Sequence, residues 1–221
     1  MAKRDVARPK RDRVGRASRK RQFKPLVLFA AEGETEREYI KALIAIRYGD
    51  RLAYRFASTR GRTDLANLIR DLQNLAYAEG TQAKGAWVVC DVDKNACHRK
   101  KLDGWLKKTP LNHIALSHPC VEYWFVLHFK STSSSQGAPQ AVRELGAVWP
   151  GGATYKKGAP ITAELINATN LAITRAVQRR QSLADDADVW NSVQWTDMPE
   201  LIAWLDQLDP QSGVSGSGAD R

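Results

Sequence analysis

Two short acidic stretches have the residue types and spacing for chemistry. Trp87-Val88-Val89-Cys90 is an apolar run that ends in Asp91-Val92-Asp93, and Pro25 to Ala31 is a second run that ends in Glu32-Gly33-Glu34-Thr35-Glu36. Residues i and i+2 of an extended chain share a face, so Asp91 and Asp93 can point the same way. Carboxylates from neighbouring strand ends can then converge on one spot, where hard cations such as Mg2+ bind. Taken alone, Asp91-x-Asp93 reads equally well as a solvated loop or a helix cap. Glu32 and Glu36 after the other buried strand change the balance, because four neighbouring carboxylates repel and raise one another's pKa values unless a cation neutralises them. A divalent metal is the economical explanation, and Gly33 is expected to allow a sharp turn that brings Glu36 into the same crevice.

The elements that must position these acids alternate between strand and helix. Pro25–Ala31 and Gly85–Cys90 read as strands buried on both faces, Leu52–Ala57 as a weaker strand interrupted by Arg55, and His113–Leu116 as a fourth. After the first strand, Thr35 and Glu38 have capping-box spacing, and Tyr39, Ile40, Leu43 and Ile44 form one helical stripe. Thr63 or Asp64 caps a second helix with the stripe Leu65, Leu68, Ile69, Leu72, Leu75 and Ala76. Leu102–Lys107 is a short helix, and Pro119 suits the first turn of another, Cys120–His128. Further on, Val142–Leu145 is amphipathic. One long helix is expected with Leu165, Ile166, Thr169, Ala172, Ile173, Ala176 and Val177 as its buried stripe, and a last helix starts near Pro199. The fold class expected is α/β, a mainly parallel sheet flanked by helices with a C-terminal helical extension. In such sheets ligands sit beyond the carboxyl ends of the strands, where Glu32, Asp91, Asp93 and Ser117 fall.

The organisation expected is a basic arm (1–24), a catalytic core (25–130), a linker or loop (131–139), a mainly helical extension packing on the core (140–209) and a Gly/Ser tail (210–221). Of the formal charge of +10, Met1–Lys24 supplies eleven Lys and Arg against two Asp, a net of +9, so the rest of the chain is close to neutral. An arm this one-sided either solubilises the protein or grips phosphates, the second being favoured. No run of about 18 apolar residues and no export signal is present, and three cysteines without a C-x-x-C pair suit a reduced, cytoplasmic protein. The His and Cys spacings match no common zinc pattern, no P-loop motif occurs, and Cys90, His128 and most of the tryptophans read as core.

The acidic stretches resemble the Toprim signature of topoisomerases, bacterial primases and OLD-type nucleases, a glutamate after the first strand and a D-x-D after the third. Ser117-His118-Pro119-Cys120-Val121-Glu122-Tyr123-Trp124, His128-Phe129, Tyr155-x-Lys157, Ala172-Ile173 through Arg175-Ala176 and Asn191 to Thr196-Asp197 narrow the resemblance to the RloB-like proteins of bacterial defence loci, over about Pro25 to Leu208. The resemblance implies a Toprim-like core and a metal-dependent endonuclease acting on DNA or RNA with Mg2+, Mn2+ being the alternative ion. It implies that Glu32, Glu36, Asp91 and Asp93 are metal ligands, with Glu32 the alternative general acid/base, and that a separate ATPase is a potential partner. Glu122 is a second-tier catalytic candidate and is equally an acid favoured by its helix dipole. Lys157 is either a stabiliser of a developing phosphorane or a solvated lysine in a Tyr-Lys-Lys turn, the second being favoured. A homo-oligomer is left open. The competing readings are a non-catalytic nucleic-acid-binding module that uses the arm, and a phosphoacceptor domain.

Overall fold

The computed structural model describes residues 23–58, 64–92, 99–131, 137–150, 155–183 and 194–209. The strands are β1 (Leu26–Ala31), β2 (Ala53–Phe56), β3 (Ala83–Asp91), β4 (Asn112–His118) and β5 (Trp195–Thr196). They form one sheet in the order β2-β1-β3-β4-β5, parallel except for the antiparallel pairing of β5 with β4. The helices are α1 (Glu34–Leu43), α2 (Leu65–Glu79), α3 (Arg99–Lys108), α4 (Val121–Phe129), α5 (Ala138–Val148), α6 (Ala163–Asn167), α7 (Thr169–Gln181) and α8 (Met198–Leu208). The expected α/β class and mainly parallel sheet are therefore observed. None of the described helices is long and apolar enough to cross a membrane.

The uninterrupted apolar runs of β1 and β3 follow from burial on both faces. Side chains alternate along a strand, so Val27, Phe29, Trp87 and Val89 enter one core cluster while Leu28, Ala30, Val88 and Cys90 enter the other. On the first face α1, α4, α5, α6, α7 and α8 add Tyr39, Leu43, Phe125, Leu145, Leu165, Ala172 and Leu201. On the second, α2 and α3 add Leu65, Leu68, Leu72, Leu102 and Trp105. Helix α4 lies deepest, every residue from Val121 to His128 being buried.

The layering decides where a site can form. Connection β1-α1-β2 crosses the first face toward one edge, and β2-α2-β3 returns across the second face to the other side of β1. The strand order thus reverses between β1 and β3, and crevices open at such switch points at the carboxyl ends of the strands.

The C-terminal helix is clamped to the opposite end of α1. Arg47, in the π-helical turn Ile44–Tyr48, donates to both carboxylate oxygens of Asp206 at 3.0 and 2.9 Å, and the Tyr48 hydroxyl donates to Asp206 at 2.8 Å. Arg51 donates to Asp209 at 2.8 Å.

Several local expectations are corrected. Gly33, not Thr35, caps α1, and Glu38 pairs with Lys41. Gly33 itself has φ −124°, ordinary extended backbone, so a sharp turn is not what requires a glycine there. Pro119 precedes the cap residue Cys120 instead of lying in the first turn of α4. The long helix is two, broken at Ala168, with α6 started by Thr162, whose hydroxyl accepts from Leu165 N–H at 3.2 Å. The break shifts the helical phase, so Val177 is exposed and Ile173 only half-buried. Asp64 does cap α2, through Asn67 N–H at 3.1 Å; Thr63 lies outside the described residues.

Candidate functional site

The acids meet where the strand order reverses. Glu32 follows β1 and extends its ladder, donating its N–H to Val89 O at 3.0 Å. Asp91 ends β3; its N–H donates to Glu32 Oε2 at 3.1 Å, and its Oδ1 accepts from Val121 N–H at 2.9 Å. The two carboxylates are thus oriented by main chain: Glu32 by β3, and Asp91 by the first turn of α4. Glu36 stands in the first turn of α1 and Glu122 in the first turn of α4, so both helix N-termini face the crevice, where their dipoles favour negative charge.

The crevice encloses about 210 Å³ and is lined by Glu32, Gly33, Glu34, Thr35, Glu36, Asp91, Val121, Glu122 and Lys157. Gly33 leaves the space that Glu36 occupies: a Cβ at this position would lie 2.6 Å from Glu36 Oε2, the flexible end of that side chain. Glu32, Glu36, Asp91 and Glu122 are 7%, 5%, 4% and 1% exposed. Burial, then the charges of Glu36, Glu32 and Glu122, push the Asp91 carboxyl up to about 9, although the Val121 amide opposes the shift.

On the third side Tyr155 and Lys157 converge on Glu122. The Tyr155 hydroxyl donates to Glu122 Oε1 at 3.4 Å, and Lys157 Nζ lies 3.5 Å from the same oxygen. Glu122 Oε2 is buried with no hydrogen-bond partner among the described residues. Burial and the Glu122 charge raise the Tyr155 hydroxyl pKa, with the Thr35 side chain opposing.

The structure therefore brings together Glu32, Glu36, Asp91, Glu122 and Lys157. Asp93, like Cys97 and His98, lies outside the described residues. Ser117 does not join them: its hydroxyl meets Thr196 at 2.9 Å, pinning β5 to β4. Arg175 donates to Leu127 O at 2.7 Å, and Arg180 stacks over Trp195 at 4.9 Å, so both serve packing. His128 is core, as its sequence context suggests: its Nδ1–H donates to Trp124 O at 2.9 Å, and burial lowers its pKa to about 4.

Sequence reasoning gave no role to Tyr155 or to the Val121 amide. Tyr155-x-Lys157 carried the one available signal, a polar aromatic two residues from a cation. The amide leaves no mark in a sequence.

A divalent cation fits the donor chemistry. The crevice presents hard carboxylate oxygens, mutual repulsion and one unpartnered buried oxygen, the features a hard cation resolves. Among the described residues no three His, Cys, Asp or Glu side chains are grouped so as to hold a metal ion as they stand.

A mostly parallel α/β sheet with buried acids at its switch point defines the class of protein. The family model of RloB-like proteins matches residues 27–205, from within β1 to within α8. The chain belongs to the RloB-like family. No curated protein and no solved structure matches it.

Proposed function

We propose that this protein is a metal-dependent endonuclease of the Toprim kind, related to OLD-type nucleases, that hydrolyses phosphodiester bonds of DNA or RNA in bacterial anti-phage defence. The observation that carries the reading is the convergence of Glu32, Glu36, Asp91 and Glu122, all under 8% exposed, at one switch point. Buried carboxyl groups crowded together are costly to ionise, and a bound cation would offset that cost. Glu32, Glu36 and Asp91 would hold Mg2+ or Mn2+, joined by Asp93. A bound divalent ion supplies charge stabilisation at phosphate oxygens and lowers the pKa of a coordinated water.

The chain's own residues supply the rest. Glu32, whose carboxylate accepts from the Asp91 amide, would alternatively act as the base that takes the proton of the attacking water. Lys157, which lines the crevice with its side chain 59% exposed, would meet the charge developing on the phosphate. Met1–Lys24 supplies a sequence-independent grip on the nucleic-acid backbone. A separate ATPase that gates the activity is implied only by the resemblance to Toprim nucleases of defence systems; the sequence itself carries no P-loop motif.

The test is to incubate the purified protein with plasmid, single-stranded DNA and total tRNA in Mg2+, Mn2+ or EDTA. Cleavage by the wild type with either metal, absent in EDTA and in Asp91→Asn, is expected. Arm-dependent binding without cleavage under every condition would instead identify a nucleic-acid-binding module.

A further inference from the structure

Among the described residues that line the acidic crevice, the cation is Lys157. It meets Glu122 unequally: the Glu122 side chain is 1% exposed and the Lys157 side chain 59%. One buried oxygen of Glu122 takes both the ammonium, at 3.5 Å, and the Tyr155 hydroxyl, at 3.4 Å, while the other has no hydrogen-bond partner among the described residues. A carboxylate satisfied on one side only, beside Glu32, Glu36 and Asp91, is a site completed by something more.

We propose that Lys157 is the resting counter-cation of this crevice, held on Glu122 in the metal-free protein and exchanged for a divalent cation, whereupon its ammonium moves to the substrate phosphate. This rests on the nuclease reading and assigns Lys157 and Glu122 a shared step within it. A largely exposed ammonium on a flexible stem at 3.5 Å gives up a weak pair. A divalent ion brings twice the charge directly onto carboxylate oxygens. No covalent bond changes and no proton moves.

The arrangement makes Lys157 and the metal antagonists in binding but allies in catalysis. A unit charge about 6 Å from a divalent ion weakens its binding about tenfold even at water's dielectric constant of about 80, and by more in a crevice lined by buried acids. Removing the Lys157 charge should therefore tighten cation binding while slowing turnover. A lysine acting only on phosphate would leave cation affinity in the free protein unchanged.

The test measures Mn2+ binding by the loss of the free-ion electron paramagnetic resonance signal, at fixed pH and salt and without nucleic acid. Wild type, Lys157→Ala, Lys157→Met, Tyr155→Phe and Asp91→Asn are compared, with circular dichroism melts reporting folding. At least about tenfold tighter Mn2+ binding in both Lys157 variants is expected, with lower kcat at saturating Mn2+. Tyr155→Phe removes a hydrogen bond and no charge, so it should not tighten binding. Lys157→Met keeps the aliphatic stem should Lys157→Ala fold poorly. Unchanged or weaker binding in the folded Lys157 variants would overturn the counter-cation role while wild-type binding and cleavage left the nuclease reading intact. A wild type that neither binds Mn2+ nor cleaves would overturn both.

Discussion

The main-chain N–H of Asp91 donates to Glu32 Oε2 at 3.1 Å, tying the acid that follows β1 to the residue that ends β3. Because the bond uses an amide that any residue at 91 would supply, Glu32 keeps its place whatever happens to the Asp91 side chain. The converse also holds, since the Asp91 carboxylate is placed by Val121 N–H. Substitutions at the two positions can therefore be read separately.

Glu32→Gln should abolish cleavage without loosening the fold, because the amide oxygen still accepts from Asp91 N–H while the negative charge and the proton acceptor are gone. A loss of at least 100-fold in kcat is expected, on the order of what general acid–base groups contribute. Calorimetric titration with Mn2+ then separates the roles. Weakened binding marks a ligand; unchanged binding with lost activity marks a proton carrier. Wild-type turnover would place the active site elsewhere.

Asp91 predicts a pH dependence with a definite sign. Its carboxyl is raised from the ordinary 3.8 to about 9 by burial and by Glu36, Glu32 and Glu122. Between those values the folded protein keeps a proton that the unfolded chain has lost, so stability is full below about pH 4 and falls as pH rises toward about 9. Melting the metal-free protein from pH 5 to 9 should show this decline. Asp91→Asn, whose amide oxygen can still accept from Val121 N–H, should flatten it. Asp197, raised to about 7 by burial and by Glu200, contributes a decline of its own and is the reason the comparison must be with the variant. Added Mg2+ should stabilise the wild type more at pH 8 than at pH 5, because there it competes with fewer protons. Equal slopes in wild type and variant would show that Asp91 is not a protonated group of the apo protein.

Gly33→Ala tests close packing at the same place. The new Cβ would lie 2.6 Å from Glu36 Oε2, and the flexible end of Glu36 gives way more readily than main chain. The variant should melt within about 1 kcal/mol of wild type, since φ at this position suits alanine. Its Mn2+ affinity should nevertheless fall, because Glu36 is pushed from its position. Unchanged affinity in a folded Gly33→Ala protein would remove Glu36 from the ligand set.

Much of this geometry was legible in the residues. The unbroken apolar runs before Glu32 and Asp91 mark strands buried on both faces, and helix-length stripes between strands require crossovers, so acids at both strand ends had to share one side of the sheet. What was not legible depended on contacts distant in sequence. Two residues, Trp195 and Thr196, make β5, too few for any period, and their pairing with His118 and Ser117 is what defines them. Gly33 looks like a turn glycine, yet its reason lies three residues on, in the carboxylate of Glu36. The break at Ala168 is invisible in a stripe that reads as continuous. Tyr155 could not be placed, because the acid it serves is 33 positions away.

The clamp on α8 should matter for stability and not for chemistry. Asp206→Ala leaves the partly buried Arg47 guanidinium and the Tyr48 hydroxyl without their shared acceptor. A loss of roughly 1–3 kcal/mol is expected in urea unfolding, as for a charge-assisted network deprived of one member. Asp206 lies far from the crevice lining, so Mn2+ affinity of the folded protein should be unchanged. A stability change below about 0.5 kcal/mol would mean the network is a surface ornament of α8, docked by its apolar face alone.

Deleting Met1–Gln22 should weaken nucleic-acid binding while sparing the chemistry, because the segment holds ten Lys and Arg while the acids of the crevice lie beyond it. If about half of those cations meet phosphates, the arm contributes a slope of about −4 to −5 to the dependence of log affinity on log salt for duplex DNA. Fluorescence anisotropy across a salt series should show that slope in the full chain and a much shallower one in the truncated protein. Cleavage by the truncated protein should return at low salt or high enzyme concentration, since only the grip has been removed. A salt slope untouched by the deletion would make the arm a solvated tail. The phosphate contacts would then belong to the folded domain, where Lys156 and Lys157 beside the crevice are the positions to change first.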